Sequence, residues 1–255
     1  MIKHKPPLIS IVMPAYNAEK TIEESIQSVL SQTCDCWELI IINDASTDCT
    51  ADLVCRYKKM DSRIVVLTNP INSGVSYSRK RGVDSASGNW IAFLDSDDLW
   101  TADKLEKQME LLKNDEADLF FTGSSFIKAD GTPYSWIMQI PNRITYRQLL
   151  KQNIISNSSV LVRKELLQKH MVEGDHMHED FACWLGCLRD GAVVQGINQP
   201  LLIYRVSATS KSGNKIKAAK MNWNTYRSVG LSAFESAYYM IWYCIRGIKK
   251  YRNLK

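Results

Sequence analysis

An α/β fold, with a mostly parallel, Rossmann-like central sheet and helices on both faces, is predicted by the first half of the chain. Three observations carry the prediction. Nearly continuous apolar runs recur at 9–13 (ISIVM), 37–42 (WELIII), 64–67 (IVVL) and 90–94 (WIAFL). Runs of this kind suit strands buried on both faces, as in parallel sheets. Between them lie stretches with apolar residues at helical spacing, such as Ile22, Ile26, Val29 and Leu30, and each is introduced by capping or turn residues. Strands alternating with helices at this interval describe βαβ units.

Taken in order, the first strand stops at Pro14, and Asn17 caps a helix over 18–31. The second strand ends in Asn43-Asp44, and a helix follows to Met60. The third strand is broken by Asn69-Pro70, and Gly74 turns the chain into a helix ending at about Ala86. Gly88 leads into the central strand. The second half is less regular. It reads as a strand over 117–127, a turn at Asp130-Gly131, a helix over 146–152, a short strand over 158–162, a helix over 179–188 and two late strands, 193–197 and 201–204. With no repeat or low-complexity linker, the chain divides into one domain, 1–212, and a helical tail, 213–255. The domain has a nucleotide-binding half over 1–100 and an acceptor half over 101–212.

Composition narrows the class. A chain of 255 residues, 45% hydrophobic and 23% charged, can bury a real core. No uncharged apolar run reaches the roughly 18 residues of a membrane span, and the start, MIKHKPPLISIV, lacks a signal-peptide core. A cytoplasmic protein is expected. Seven cysteines (34, 36, 49, 55, 183, 187, 244) without a CxxC pair read as reduced thiols, many of them buried. Charge is unevenly placed: from Arg205 onward there are eleven basic residues and one acid, Glu235, so a mildly acidic body carries a basic tail.

The central strand ends in three carboxylates, Asp95, Asp97 and Asp98, with Ser96 between the first two. One reading is an acidic helix cap. The other is a site for a hard divalent ion, Mg²⁺ or Mn²⁺, which oxygen ligands suit and which relieves the mutual repulsion of the acids. In a parallel sheet the ends of the first, second and fourth strands share one rim. That rim gathers Pro14, Tyr16, Asn17 and Glu19, then Asn43-Asp44, then Asp95, Ser96, Asp97 and Asp98. Tyr16 offers a ring for a base, Asp44 an acceptor for a base N–H or ribose hydroxyl, and Arg79 planar donors. A nucleoside diphosphate needs all of these. No G-x-G-x-x-G and no G-x-x-x-x-G-K-[ST] is present to explain the rim otherwise.

In that order, P-A-Y-N, I-I-N-D-A-S-T-D, N-S-G-V-S-Y-S-R-K-R-G and D-S-D-D resemble the motifs of the bacterial inverting glycosyltransferases of family 2, with the GT-A fold. The resemblance implies that Pro14, Tyr16, Glu19, Asp44, Asn72 and Arg79 hold the uridine of a UDP-sugar. It also implies that Asp95 and Asp97 form the D-x-D pair, Asp97 being the nearer ligand of Mn²⁺ or Mg²⁺. Where the family often reads A-R-N-x-G, this chain has Ser78-Arg79-Lys80-Arg81-Gly82, keeping the Arg and the Gly. His178-Glu179-Asp180 is similar to the family's E-D motif, which makes Asp180 the expected base and Glu179 its runner-up. An N-terminal charge matched to the helix dipole is the structural alternative for one of them. Arg205, Ser210 and Lys211 fall in a segment that resembles the family's loop over the diphosphate.

In the tail, aromatic residues (Phe234, Tyr238, Tyr239, Trp242, Tyr243) precede Arg246, Lys249, Lys250, Arg252 and Lys255. The pattern reads as an interfacial helix on the inner leaflet of the membrane or as a helix packed on the domain with a solvated basic end. A polyprenyl-diphosphate-linked glycan is the acceptor that fits the first reading, with O-antigen, capsule or teichoic-type polymer as product. No nucleic-acid module accompanies the charge, so no nucleic acid is expected as a partner. The rival functions are a nucleotidyltransferase, which normally has a glycine-rich basic loop after the first strand, and a non-catalytic nucleotide- or glycan-binding module, which needs no base.

Overall fold

A computed structural model of the chain describes residues 9–113, 117–174, 176–206 and 215–252. The N-terminal half comprises β1 (Ile9–Ala15), α1 (Ile22–Leu30), β2 (Trp37–Asn43), α2 (Thr50–Met60), β3 (Ile64–Thr68), α3 (Val75–Ser85) and β4 (Trp90–Phe93). There follow β5 (Leu99–Trp100), α4 (Lys104–Leu112), β6 (Leu119–Lys128), β7 (Pro133–Met138), α5 (Tyr146–Lys151) and a 3₁₀ turn (Asn157–Ser159). The chain continues through β8 (Leu161–Arg163), α6 (Lys164–His170), α7 (Glu179–Arg189), β9 (Val194–Val206), α8 (Lys215–Ser228) and α9 (Ala233–Arg252).

Among the described residues the strands form one nine-stranded sheet in the order β3-β2-β1-β4-β8-β6-β9-β5, with β7 beside β6. The pairings among β3, β2, β1 and β4 are parallel. The other half is mixed: β8 is antiparallel to β4 and β6, and β9 is parallel to β6. The expected mostly parallel character holds throughout the first four strands and, in the rest, for the β6–β9 pair. Alternation sorts the sheet's two cores. Ile9, Ile11 and Met13 face α1, α2 and α4 together with Leu39, Ile41, Trp90 and Ala92. Val12, Ile40, Ile42, Ile91 and Phe93 join residues of α3, α5, α6 and α7 on the opposite face. Each such side chain contributes roughly 1.5–3 kcal/mol by leaving water. Strand order reverses between β2 and β4 on either side of β1, a switch point that opens a crevice beyond their carboxyl ends.

Several local expectations change. Pro14 does not end β1; it lies inside it, in register with Ile42. Val12 O accepts from Leu94 N, whereas Ala15 O accepts from Asp44 N, so residue 14 faces the β4 side. There β4 has already ended at Phe93, and the missing N–H of Pro14 costs no ladder bond. The two late strands are one, β9, because its pairing with β6 slips between Thr122 and Ser124 and absorbs Asn198 to Leu201 without breaking. The first half of the strand expected at 158–162 is the 3₁₀ turn. All seven cysteines are free thiols, but only Cys183 and Cys187 are buried.

The expected boundary at 212/213 and the residues Ser210 and Lys211 lie outside the described residues. α8 and α9 form a hairpin that packs on α7 and α5. Its Tyr226 is wholly buried and donates its hydroxyl to Leu150 O at 2.7 Å. Among the described residues no helix is long and apolar enough to cross a membrane.

Gly82 explains the retained glycine of the third motif. A Cβ there would stand 2.5 Å from Val12 Cγ1 and 2.7 Å from Ile42 Cδ1, so its absence lets α3 lie directly on β1 and β2. Gly82→Val should cost about 1–3 kcal/mol of stability through overpacking, read as a lowered midpoint of thermal unfolding.

Candidate active site

The loops after β1 and β2 are tied to each other. Asn17 adopts a left-handed φ of 49°. Its Oδ1 accepts from Thr47 N at 2.8 Å, and its own N–H donates to Ser46 Oγ at 3.1 Å. Glu19 N donates to Asp48 Oδ2 at 3.1 Å, while Glu19 Oε2 accepts from Cys49 N at 3.0 Å. Asn17 is thus a loop clamp and not the cap expected of it, and α1 begins later, after Thr21. Tyr16 is left about half exposed beside this clamp, with its ring open to solvent.

Asp44 is buried and organises the next loop. Its Oδ1 accepts from Asn69 Nδ2 at 2.6 Å and Ser73 N at 2.9 Å, and its Oδ2 from Gly74 N at 2.8 Å. Gly74 takes the positive φ, 88°, that launches α3. A carboxylate can accept about four hydrogen bonds, so three protein donors leave room for one more. Asn72 is exposed on the same loop.

α3 then carries Arg79 into the interior. Its Nη2 donates to Asp95 Oδ1 at 2.6 Å and its Nη1 to Glu179 Oε1 at 2.9 Å. With its amide oxygen turned toward Arg79, Asn157 accepts from Nε at 3.1 Å and from Nη2 at 3.2 Å. Burial alone would lower the guanidinium's pKa, but the fields of Asp95, Glu179 and Asp180 outweigh it and raise it. In place of facing a base, as the resemblance implies, this side chain joins the acidic loop after β4 to the start of α7. All three of its nitrogens are committed.

The three acids after β4 have three different surroundings. Asp95 is paired with Arg79, and its N–H donates to Ser158 Oγ at 3.1 Å. Asp98 is wholly inside, where Oδ1 accepts from Arg205 N at 3.0 Å, and burial followed by Asp97 and Asp95 pushes its carboxyl well up. It clips the loop to β9. Asp97 lies between them, and among the described residues its carboxylate makes no ion pair. Burial first, then Asp95, raises its pKa to about 6 against the lowering pull of Arg205 and Arg79. Ser96, beside it, is half-buried.

Arg205 is also corrected by the structure. It belongs to β9 and is buried, with Nε donating to Asp97 O at 2.9 Å and Nη2 paired with Glu24 Oε2 at 2.5 Å. It braces the acidic loop from below instead of covering a diphosphate from a loop above.

At the start of α7, Glu179 is buried against Arg79. Asp180 is only half-buried, with no hydrogen bond or ion pair among the described residues. Both line a cleft with Ser76, Arg79, Asn157, Phe93 and Trp184. Thr225 Oγ1 accepts from His178 N at 3.0 Å and fixes the helix start. Asn157 and Ser158 were invisible to sequence reasoning, since a short polar turn in an S-N-S-S stretch carries no motif.

Arg79 therefore pairs with one member of each acidic pair, and the other makes no ion pair among the described residues. Asp97 fits a hard divalent cation by this test: it is a partly desolvated carboxylate beside a second one. Among the described residues no three His, Cys, Asp or Glu side chains converge, so further ligands would come from substrate oxygens and water.

Comparison with known proteins identifies the family. Residues 10–171 match the family described as glycosyl transferase family 2. TuaG of Bacillus subtilis (strain 168), named for teichuronic acid biosynthesis, is 38% identical over 245 residues, covering 96% of this chain and 97% of TuaG. The Escherichia coli protein WfgD, a UDP-Glc:α-D-GlcNAc-diphosphoundecaprenol β-1,3-glucosyltransferase, is 37% identical over 246 residues, covering 96% of this chain and 95% of WfgD. The mannosyltransferase PcManGT from Pyrobaculum calidifontis, solved with GDP-Man and Mn²⁺, superposes with a TM-score of 0.69 at 15% identity, over 94% of this chain and 69% of that one. That likeness concerns the fold, which is GT-A. The chain belongs to glycosyl transferase family 2 and is a glycosyltransferase.

Proposed function

We propose that this glycosyltransferase moves a sugar from a UDP-sugar to a hydroxyl of a lipid-linked glycan, with inversion at the anomeric carbon. The observation that supports this reading most is the pairing by Arg79. It holds Asp95 and Glu179 in place while Asp97 and Asp180 stay unpaired among the described residues. A donor site and a base are thereby set on either side of one buried cation.

The uridine would lie on the rim between Tyr16 and Asn72, with the spare acceptor of Asp44 reading the base and Pro14, Asn17 and Glu19 shaping the floor. Asp97 and Asp95 would hold Mn²⁺ or Mg²⁺, which supplies Lewis-acid stabilisation of the charge on departing UDP. Asp180 removes the proton from the acceptor hydroxyl, which then attacks the anomeric carbon from the face opposite UDP. Glu179 is a positioning residue, since its carboxylate is spent on Arg79. Ser210 and Lys211 would help to cover the diphosphate, and Ser96 would line its approach. The name of WfgD supports a polyprenyl-diphosphate-linked glycan as acceptor and that of TuaG a teichuronic-type polymer as product; O-antigen and capsule are the other products of this reading. Such an acceptor would be met on the cytoplasmic face of the membrane, against the tail 213–255.

UDP release measured with UDP-glucose, UDP-galactose and their N-acetyl forms, with a lipid-linked acceptor, tests the reaction. Turnover with none of them would reject it. Asp180→Asn should lower kcat by about 10²–10⁴-fold with UDP binding intact. Glu179→Gln should instead lower stability, by up to about 3–5 kcal/mol, because it leaves part of the charge on buried Arg79 uncompensated. Full activity in Asp180→Asn would transfer the base role elsewhere.

The raised pKa of Asp97 adds a pH dependence. Its acid form is favoured in the folded protein, so protons compete with a cation once pH drops below about 6. Calorimetry should show manganese-assisted UDP uptake weakening from about pH 7 to about pH 5, and disappearing in Asp97→Ala at both. Uptake independent of both manganese and pH would remove Asp97 from the cation site.

A further inference from the structure

The C-terminal hairpin has a face that catalysis does not use. One side of α9 packs on the domain: Ser236 is buried, and Tyr239 and Met240 lie against the core. On the other side stand Phe234 (91% exposed), Tyr238 (49%), Ile241 (61%) and Ile245 (55%). Their spacings of four, three and four residues place them in one stripe along the helix. Ala237 and Cys244, also exposed, lie beside it. A helix on a water-facing surface normally carries charge there. This one carries a continuous apolar strip, and such strips mark interaction sites.

Apart from Glu235, whose carboxylate accepts from Ser232 N at 2.8 Å at the start of the helix, the charge bordering the strip is basic. Trp242, half-buried at its edge, has Lys151 Nζ 5.1 Å and the Arg246 guanidinium 5.6 Å from its ring centroid. Arg246 also donates to Gln152 Oε1 at 3.5 Å. The same helix goes on in sequence through Lys249, Lys250 and Arg252, and Glu235 is the sole acid beyond residue 204. A second copy of the chain docked strip to strip would bring like charges together. An apolar strip edged by an aromatic ring and cations matches a bilayer whose headgroups are anionic.

We infer that Phe234, Tyr238, Ile241 and Ile245 of α9 seat in the interfacial layer of an anionic lipid surface, with Lys151 and Arg246 at the headgroups. Neither signal suffices alone, because stable attachment needs apolar burial together with basic charge. The hairpin is anchored to the start of α7 through Thr225 and His178, so seating α9 also sets the acid pair at a fixed disposition to the lipid. This deepens the proposed function by naming the surface through which a lipid-linked acceptor is reached.

The test uses the full chain and two vesicle types, phosphatidylcholine alone and phosphatidylcholine mixed with phosphatidylglycerol, separated by sedimentation. Binding to the mixed vesicles is expected, at least roughly tenfold tighter than to neutral ones and weakening as salt rises. Phe234→Ser with Ile241→Ser should lose roughly tenfold or more of that binding, with the unfolding temperature and UDP binding unchanged. Lys151→Gln with Arg246→Gln should lose the preference for phosphatidylglycerol. No sedimentation of the wild-type chain, or equal sedimentation of the serine variant, would overturn the inference. So would a lipid-free dimer that the serine variant dissolves, which would give the strip to a second copy. Vesicle binding without sugar transfer would leave the surface standing and the transferase reading fallen; transfer to a soluble acceptor without vesicle binding would do the opposite.

Discussion

The guanidinium of Arg79, held between Asp95 and Glu179, is the interaction on which the rest of the site depends. A cation this deeply buried would carry a desolvation cost of several kcal/mol were it unpaired. Two carboxylates and the Asn157 amide offset that cost, and in return their positions are set by a planar fork that tolerates little misalignment. The pairing spans a sequence separation of 100 residues between Arg79 and Glu179. It ties the N-terminal βαβ half of the chain to α7 in the second half.

Support for that unit comes from residues without chemistry of their own. The 3₁₀ turn bearing Asn157 and Ser158 is held by Trp100 Nε1, which donates to Ser158 O at 2.7 Å, and by Gln108 Nε2, which donates to Ser159 O at 3.2 Å. Behind them Lys104, wholly buried and with its pKa driven well down by burial, donates to Gln108 Oε1 at 2.9 Å. Such a chain of satisfied polar groups in a low-dielectric interior stiffens what it touches. Here it touches the backbone of Asp95 and the side chain of Arg79.

The same logic divides the acids by surroundings and not by identity. Asp98 and Asp44 each accept from backbone N–H groups and shape loops. Asp95 and Glu179 each give an oxygen to the Arg79 guanidinium. Asp97 and Asp180 are what remains unpaired among the described residues, and the roles proposed for them follow from that. The tail shows a comparable division between two faces of one helix. The two sequence readings of α9, packed helix and interfacial helix, describe its opposite sides: the packed side is in the structure, and the lipid side is our inference.

The chain's own pattern determined the βαβ half and the family. Buried strands advertise themselves as apolar runs, and the rim motifs are local strings whose members are close in sequence because they sit on single loops. Pro14 and the late strand differ from expectation for a shared reason: whether a missing N–H or a three-residue slip matters depends on the neighbouring strand, which local sequence does not specify. Likewise, nothing local shows that Arg79 turns inward toward Glu179, that Arg205 braces Asp97 and Asp98, or that Asn157 and Ser158 belong to the site. Those assignments arise from pairings between distant segments. A side chain's role is set by which charges and dipoles surround it after folding, and only the tertiary structure brings those neighbours together.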